Sequence, residues 1–228
     1  MASQIKIPRK HKKLSVQKQV IATLLDKELK FKGKKVLEIG CGDWDIIKNR
    51  VEKNNEWYGL DIAPSSIANC LGTIDKIPFP DKTFDIIITN QVLEHIFEYG
   101  ISFKKALKEI NRVLKLEGEV IFTVPIHNHG HPMFLFGEEE EIFNTIQDYF
   151  EITYMEGYYA EKVKGWQQLS NKGFFNHIGY PNVFFNNDAF TYQMLIKATK
   201  WECDIERYYK YKFRKLKVFL RFIKAMVV

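Results

Sequence analysis

Three groups of residues have the types and spacing to do chemistry. The first is Glu38-Ile39-Gly40-Cys41-Gly42, an acidic residue and two closely spaced glycines that end the apolar run starting at Val36. Gly40 and Gly42 permit backbone conformations that a Cβ would obstruct, and they let a ligand approach the main chain. The second is Asp61, which closes the run Trp57-Tyr58-Gly59-Leu60-Asp61-Ile62. It stands about 20 residues beyond the glycines, where an acidic side chain accepts hydrogen bonds from both ribose hydroxyls of a bound nucleoside. Its other possible role is a helix N-cap, because Ala63-Pro64-Ser65-Ser66 reads as the start of a helix. The third is Ile126-His127-Asn128-His129-Gly130-His131-Pro132, where imidazoles that titrate near neutrality offer a general base. Alternate histidines also suit a metal, but no cysteine lies nearby, and we expect none to bind.

These groups need a scaffold that brings them together. Residues 36–39 form a short aliphatic and β-branched run bounded by turn residues, the pattern of a parallel strand buried on both faces. In open α/β sheets the crevice beyond such a strand's carboxyl end is the ligand site. Read as G-x-G-x-x-G, the stretch has Asp45 at its third glycine, and no G-K-[ST] follows, so it is neither a dinucleotide fingerprint nor a phosphate loop. Val16, Val20, Ile21, Leu24, Leu25 and Leu29 recur at helical spacing, which predicts an amphipathic helix over 15–30 with Ser15 as N-cap. A second helix is expected over about 45–53, with its N-terminus toward the glycine turn. Further strands are expected at 119–125, 150–155 and 190–200, and a helix at 138–149.

The glycine turn resembles motif I of the class I S-adenosylmethionine-dependent methyltransferases, with Glu38, Gly40 and Gly42 matching and Trp44 standing where a third glycine often lies. The block Asp75-Lys76-Ile77-Pro78-Phe79-Pro80-Asp81-Lys82-Thr83-Phe84-Asp85, the strand that follows to Asn90, and Val92-Leu93-Glu94-His95 are similar to the type 11 methyltransferase domain. Ala106-Leu107-Lys108-Glu109-Ile110-Asn111-Arg112-Val113-Leu114-Lys115 and Gly118 match the same family's helix and turn before the fifth strand, so the resemblance covers about residues 34–125. It implies a Rossmann-like, doubly wound, seven-stranded and mostly parallel sheet with an antiparallel last strand. It also implies S-adenosyl-L-methionine as the methyl donor. Glu38, Gly40, Cys41 and Gly42 would then surround the methionine part, and Asp61 and Ile62 the ribose. The adenine would lie by Thr73, Ile74 and Asp75, with Asn90 and Gln91 on the far wall. Thr73 replaces an aspartate common in the family, which moves adenine recognition to the Thr73 and Ile74 backbone or to Asp75. The family places His95 in a structural helical segment, and it places the loop with His127, His129 and His131 toward the substrate.

Composition bounds the rest. With 46% apolar and 27% charged residues in 228, the chain is long enough for one α/β domain with an elaboration. We expect the methyltransferase domain over 1–205, with its core at 34–125, and a basic amphipathic helix over 206–228. Between the two last strands, the aromatic-rich stretch 156–189 is expected to be an inserted cap over the active site, or else a satellite core at the sheet edge. The net charge of +6 gathers at the two ends, which suits solvated tails, acidic lipid, nucleic acid or an anionic substrate. Three scattered cysteines and a basic start without an apolar core predict a cytoplasmic protein, peripheral at the inner membrane surface if 206–228 binds lipid or a protein partner. The expected reaction is methylation of an oxygen on a small molecule or a glycan or lipid-linked precursor. A nucleic-acid or protein methyltransferase and a catalytically silent adaptor are the alternatives, and the chain has no recognisable RNA-binding module.

Overall fold

The structure, a computed structural model, describes residues 7–126, 130–135, 139–161, 165–169 and 192–200. In chain order its strands are β1 (Lys35–Ile39), β2 (Glu56–Asp61), β3 (Cys70–Leu71), β4 (Phe84–Asn90), β5 (Leu114–Ile126), β6 (Phe150–Glu161), β7 (Gly165–Leu169) and β8 (Tyr192–Lys200). They join in one sheet in the order β3-β2-β1-β4-β5-β8-β6-β7. The strands from β3 to β5 run parallel, while β8 is antiparallel to both β5 and β6. This is the expected mostly parallel, doubly wound sheet, and β7 adds an eighth strand by pairing with β6. The stretch expected to form a cap therefore begins as sheet, in the β6–β7 hairpin. The remainder of 156–189 lies outside the described residues, as do 190, 191 and the expected helix at 206–228.

Helices α1 (Val16–Glu28), α2 (Lys48–Val51), α3 (Phe103–Val113), α4 (Pro132–Leu135) and α5 (Glu139–Gln147) cover the sheet. The apolar stripe of α1 explains its position. Val20, Ile21, Leu24 and Leu25 are buried against Val36, Ile86, Ile88, Ile121 and Leu195 on one face of the sheet. On the other face, α3 buries Phe103, Ala106, Leu107, Ile110 and Val113, a helical repeat, in a larger core that α4 and α5 share. Ser15 occupies the N-cap position of α1 but its side chain makes no capping bond. At that end the Gln19 side chain instead donates to the Leu14 carbonyl, at 2.8 Å.

Two expected helices differ. The one over 45–53 contracts to α2, because residues 45–47 form only turns. None begins at Ala63. Only eight residues join β2 to β3, fewer than a helical crossover needs, and they are held as bends by side chains. Ser65 Oγ accepts from the Ala68 N–H, and Asp43 Oδ1 accepts from both the N–H and the hydroxyl of Ser66. Asp61 is therefore not a helix cap, and its carboxylate serves the glycine turn.

The P-F-P-D block is fixed by Arg112 of α3. Its guanidinium donates to the carbonyls of Ile77 and Phe79 and to the carboxylates of Asp81 and Glu109. That fork holds the 77–81 turn against α3 and sets where the preceding segment, 72–74, approaches the sheet's carboxyl edge.

Candidate functional site

The carboxyl ends of β1, β2 and β4 open onto a cavity of about 340 Å³. Its size is within the range of small-molecule sites. Gly40 lines it in the left-handed region, φ 69, and a Cβ there would drive into the Val92 side chain. Gly42 is also left-handed, φ 52, and this turn aims its N–H at Asp61 Oδ2, 2.8 Å away. Asp61 Oδ1 accepts from the Ala63 N–H at 3.1 Å. The carboxylate is thereby locked by two backbone donors while it stays on the cavity wall, and each oxygen keeps a lone pair for a hydroxyl. Beyond Asp61 the wall becomes an apolar slot, with Ile62 and Ile74 contributed by one side and Val92, Ile96 and Ile101 by the segment after β4.

The residues singled out in the sequence divide into two sets. Gly40, Asp61, Ile62, Thr73, Ile74 and Gln91 line the cavity. Glu38, Cys41, Gly42, Asp75 and Asn90 are not among its lining residues. Glu38 shares the face of Val36, is 1% exposed and accepts from Trp57 Nε1 at 2.9 Å. Burial pushes its carboxyl up to about 8 against that hydrogen bond, and the nearby charges of Asp45 and Asp61 push the same way. Cys41 is buried beside Gly59, and burial, with Glu38 and Asp61 nearby, pushes its thiol up to about 12, so it carries no thiolate at neutral pH. Asn90 Oδ1 accepts from the Thr123 hydroxyl across the β4–β5 pair, at 2.6 Å. Trp44 packs with the α1 core and lies under the Lys18 ammonium, 4.8 Å from the ring centroid, rather than in the cavity.

Of the candidate bases, His127 and His129 lie outside the described residues. His131 is described and is not on the cavity wall. Its ring stacks on Phe97 with centroids 3.7 Å apart, its Nδ1 accepts from the Met133 N–H, and its backbone N–H donates to the Glu94 carbonyl. It fixes the chain against the turn after β4. The imidazole that does line the cavity is His95, whose Nδ1 meets Glu98 Oε1 at 2.6 Å. The resemblance places V-L-E-H in a structural helical segment, so the sequence pattern does not mark His95, Glu98 and Tyr99 as wall residues. The signal available was Gly100, whose left-handed backbone ends the segment after the single 3-10 turn Ile96–Tyr99.

This sheet has its cavity at the reversal point of its strand order and a locked carboxylate on β2, the arrangement by which doubly wound α/β domains bind nucleotides. Residues 37–122 match the sequence family described as a methyltransferase domain. Over 108 residues it is 34% identical to a demethylmenaquinone methyltransferase of Geobacillus, covering 40% of this chain and 44% of that one. Over 105 residues it is 35% identical to an uncharacterized Methanocaldococcus jannaschii protein, covering 42% and 44%. The matched stretch thus spans under half the length of these relatives. Among solved structures, the fold is similar to a putative methyltransferase from Bacillus halodurans, with TM-score 0.55, 13% identity, and 79% of this chain and 99% of that one covered. It is also similar to geranyl diphosphate C-methyltransferase from Streptomyces coelicolor, with TM-score 0.52, 12% identity and 81% of each chain covered.

The residues present fit an adenosyl amino acid. The glycine turn leaves a cradle that a Cβ at Gly40 would fill, Asp61 supplies acceptors for a diol, and the slot beyond it is apolar enough for a purine.

Proposed function

We propose that this chain transfers a methyl group from S-adenosylmethionine to an oxygen of a small molecule, or of a glycan or lipid-linked precursor. The observation that carries the reading is Asp61, locked by the Gly42 N–H on the wall of a nucleoside-sized cavity. When bound, the sulfonium donor supplies an electrophilic methyl, and transfer is an in-line displacement whose rate depends on alignment. Asp61 would hold the ribose hydroxyls, and the Thr73 and Ile74 segment with Val92 and Ile96 would enclose the adenine. Gly40 and Gly42 keep the main chain low enough for the sulfur end to pass. A hydroxyl nucleophile must lose its proton, and the imidazoles proposed for that task are His127 and His129 of the loop after β5 and His95 beside Glu98 on the wall.

A small acceptor is supported by the substrates named for the relatives, a demethylmenaquinone and geranyl diphosphate. Trp44 packed against Lys18 leaves the cavity open, which removes one reason to favour a silent adaptor. The test is to incubate the full chain with methyl-tritiated S-adenosylmethionine and a metabolite and lipid extract, then separate acid-precipitable from soluble and organic-extractable label. Label in small molecules is the expected result, with the product identified as a methyl ether or ester by mass spectrometry. Label confined to the precipitate would overturn the small-acceptor reading in favour of protein or nucleic acid.

A further inference from the structure

We infer that His131 is a positioning residue for the cavity: its ring, stacked on Phe97, holds the wall segment 92–101 at the distance from Asp61 and Ile62 that a bound nucleoside requires. The inference rests on the cofactor reading above. That segment supplies Val92, His95, Ile96, Glu98, Tyr99 and Ile101 to the cavity. It has little structure of its own to hold it there. Its one regular element is the 3-10 turn Ile96–Tyr99, which no side chain caps at His95 and which ends at left-handed Gly100. A single turn is unfavourable in isolation, because it fixes several backbone angles for few hydrogen bonds, so its position has to come from packing.

Ile96 anchors the turn in the large core, with 3% exposure. Phe97 does not line the cavity and packs on the same core. His131 closes on Phe97 from the loop after β5, with ring centroids 3.7 Å apart and planes 22° apart. The main chain reinforces the contact. The His131 N–H donates to the Glu94 carbonyl at 3.0 Å, and Gly130 approaches so closely that a Cβ there would stand 2.6 Å from the same oxygen.

His131 is itself fixed from the other side. Its carbonyl and its Nδ1 accept from the Phe134 and Met133 N–H groups of α4. Phe134 is fully buried and meets Phe103 of α3 edge-on, with centroids 5.9 Å apart. Direct contacts therefore run from α3 through α4 and His131 to the wall. The imidazole makes two attachments at once, since Nδ1 caps α4 while the ring face covers Phe97. A phenyl ring can make only the second, and an asparagine only the first. Where the binding-competent geometry is only fractionally populated, apparent affinity falls by that fraction, so a wall without its clamp binds more weakly although no ligand contact is lost.

The test is calorimetric titration of the full chain with S-adenosylhomocysteine, alongside hydrogen exchange at residues 96–100 in the ligand-free chain. His131→Asn keeps an acceptor for the Met133 N–H and removes the ring. It should weaken binding roughly fivefold, the scale of one aromatic contact, and quicken exchange at 96–100 while α4 keeps its protection. His131→Phe keeps the ring and removes the acceptor, and it should bind as the wild type does. Phe97→Leu should weaken binding by a similar factor, and combining it with His131→Asn should add no further loss, because both act through one contact. Wild-type affinity in His131→Asn, an equal loss in His131→Phe, or additive losses in the double variant would overturn the inference. Should His131→Asn not fold, Phe97→Leu carries the test, and wild-type affinity there would overturn it. Unchanged exchange at 96–100 in the ring-deleting variants would overturn it alone. Failure of the folded wild-type chain to bind S-adenosylhomocysteine would overturn the cofactor reading and this inference together.

Discussion

Glu38 and Asp61 lie on neighbouring strands about 20 residues apart, the separation the fold rule expects, yet their surroundings give them opposite behaviour. Asp61 is locked by backbone donors and open to the cavity, whereas Glu38 is sealed against Trp57. Asp61→Ala should therefore weaken S-adenosylhomocysteine binding by about 1.5–3 kcal/mol, the worth of a hydrogen bond to a charge, with little change in unfolding temperature. Calorimetry and a thermal melt on the same sample check both halves. Glu38 predicts a pH effect. Its folded pKa, about 8, lies above the ordinary 4.5, so the folded state holds a proton that the unfolded state has lost between those values. Stability from this group is thus full below pH 4.5 and falls as pH rises toward 8. Glu38→Gln keeps an acceptor for Trp57 and removes the titration. It should raise the unfolding temperature above pH 8 and change it little below pH 4.5. Gly40→Ala meets both a left-handed φ and the Val92 side chain, so it should abolish cofactor binding in a titration before it unfolds the chain.

At the scale of elements, α1 ties the sheet's far strands to the site. Lys27 pairs with Glu156 of β6, and Glu28 pairs with Lys197 of β8. Asp26 gathers Lys10, His11 and Arg50, which fastens the segment before α1 and helix α2 to the same helix. Burial alone would raise the Asp26 carboxyl, but those three donors outweigh it and hold it at about 2. Its folded pKa is below the ordinary 3.8, so its contribution is present above 3.8 and is lost as pH falls toward 2. Asp26→Asn should cost about 1–3 kcal/mol at neutral pH in a denaturant titration, and the difference should shrink in acid. The stripe of α1 was legible in the sequence because burial at helical spacing is a local pattern. The Asp26 cluster was not, since its partners are scattered over 40 positions and meet only after the fold forms. The supposed helix after Asp61 failed for the opposite reason. Ala63-Pro64-Ser65-Ser66 is a sound local start, but the short connection and the Asp43 to Ser66 bonds leave it no length to grow. At the other end of the chain, the basic amphipathic stretch 206–228 is proposed to bind acidic lipid. Liposome co-sedimentation should then show binding by the full chain and its loss on removing 206–228. Equal binding of both forms would dispose of the idea.

At the scale of the molecule, parallel order and glycine spacing were enough to expect a cavity at the carboxyl edge of the sheet, where one is found. The cavity's second wall was harder to read, because Gln91, His95 and Tyr99 come from a segment that has no strand or long helix to announce it. The hydrogen bond that joins Gln17 to Gln91 spans 74 positions, a juxtaposition that only the assembled sheet and α1 create. Fold and cavity together imply that cofactor recognition is separable from the acceptor, so the central claim can be tested without knowing what is methylated. The measurement is a calorimetric titration of the purified full chain with S-adenosylhomocysteine, with NAD as a control. The account predicts micromolar binding, about −8 kcal/mol, for the first and none for the second. A folded, ligand-free chain that binds neither, or that prefers NAD, would contradict it.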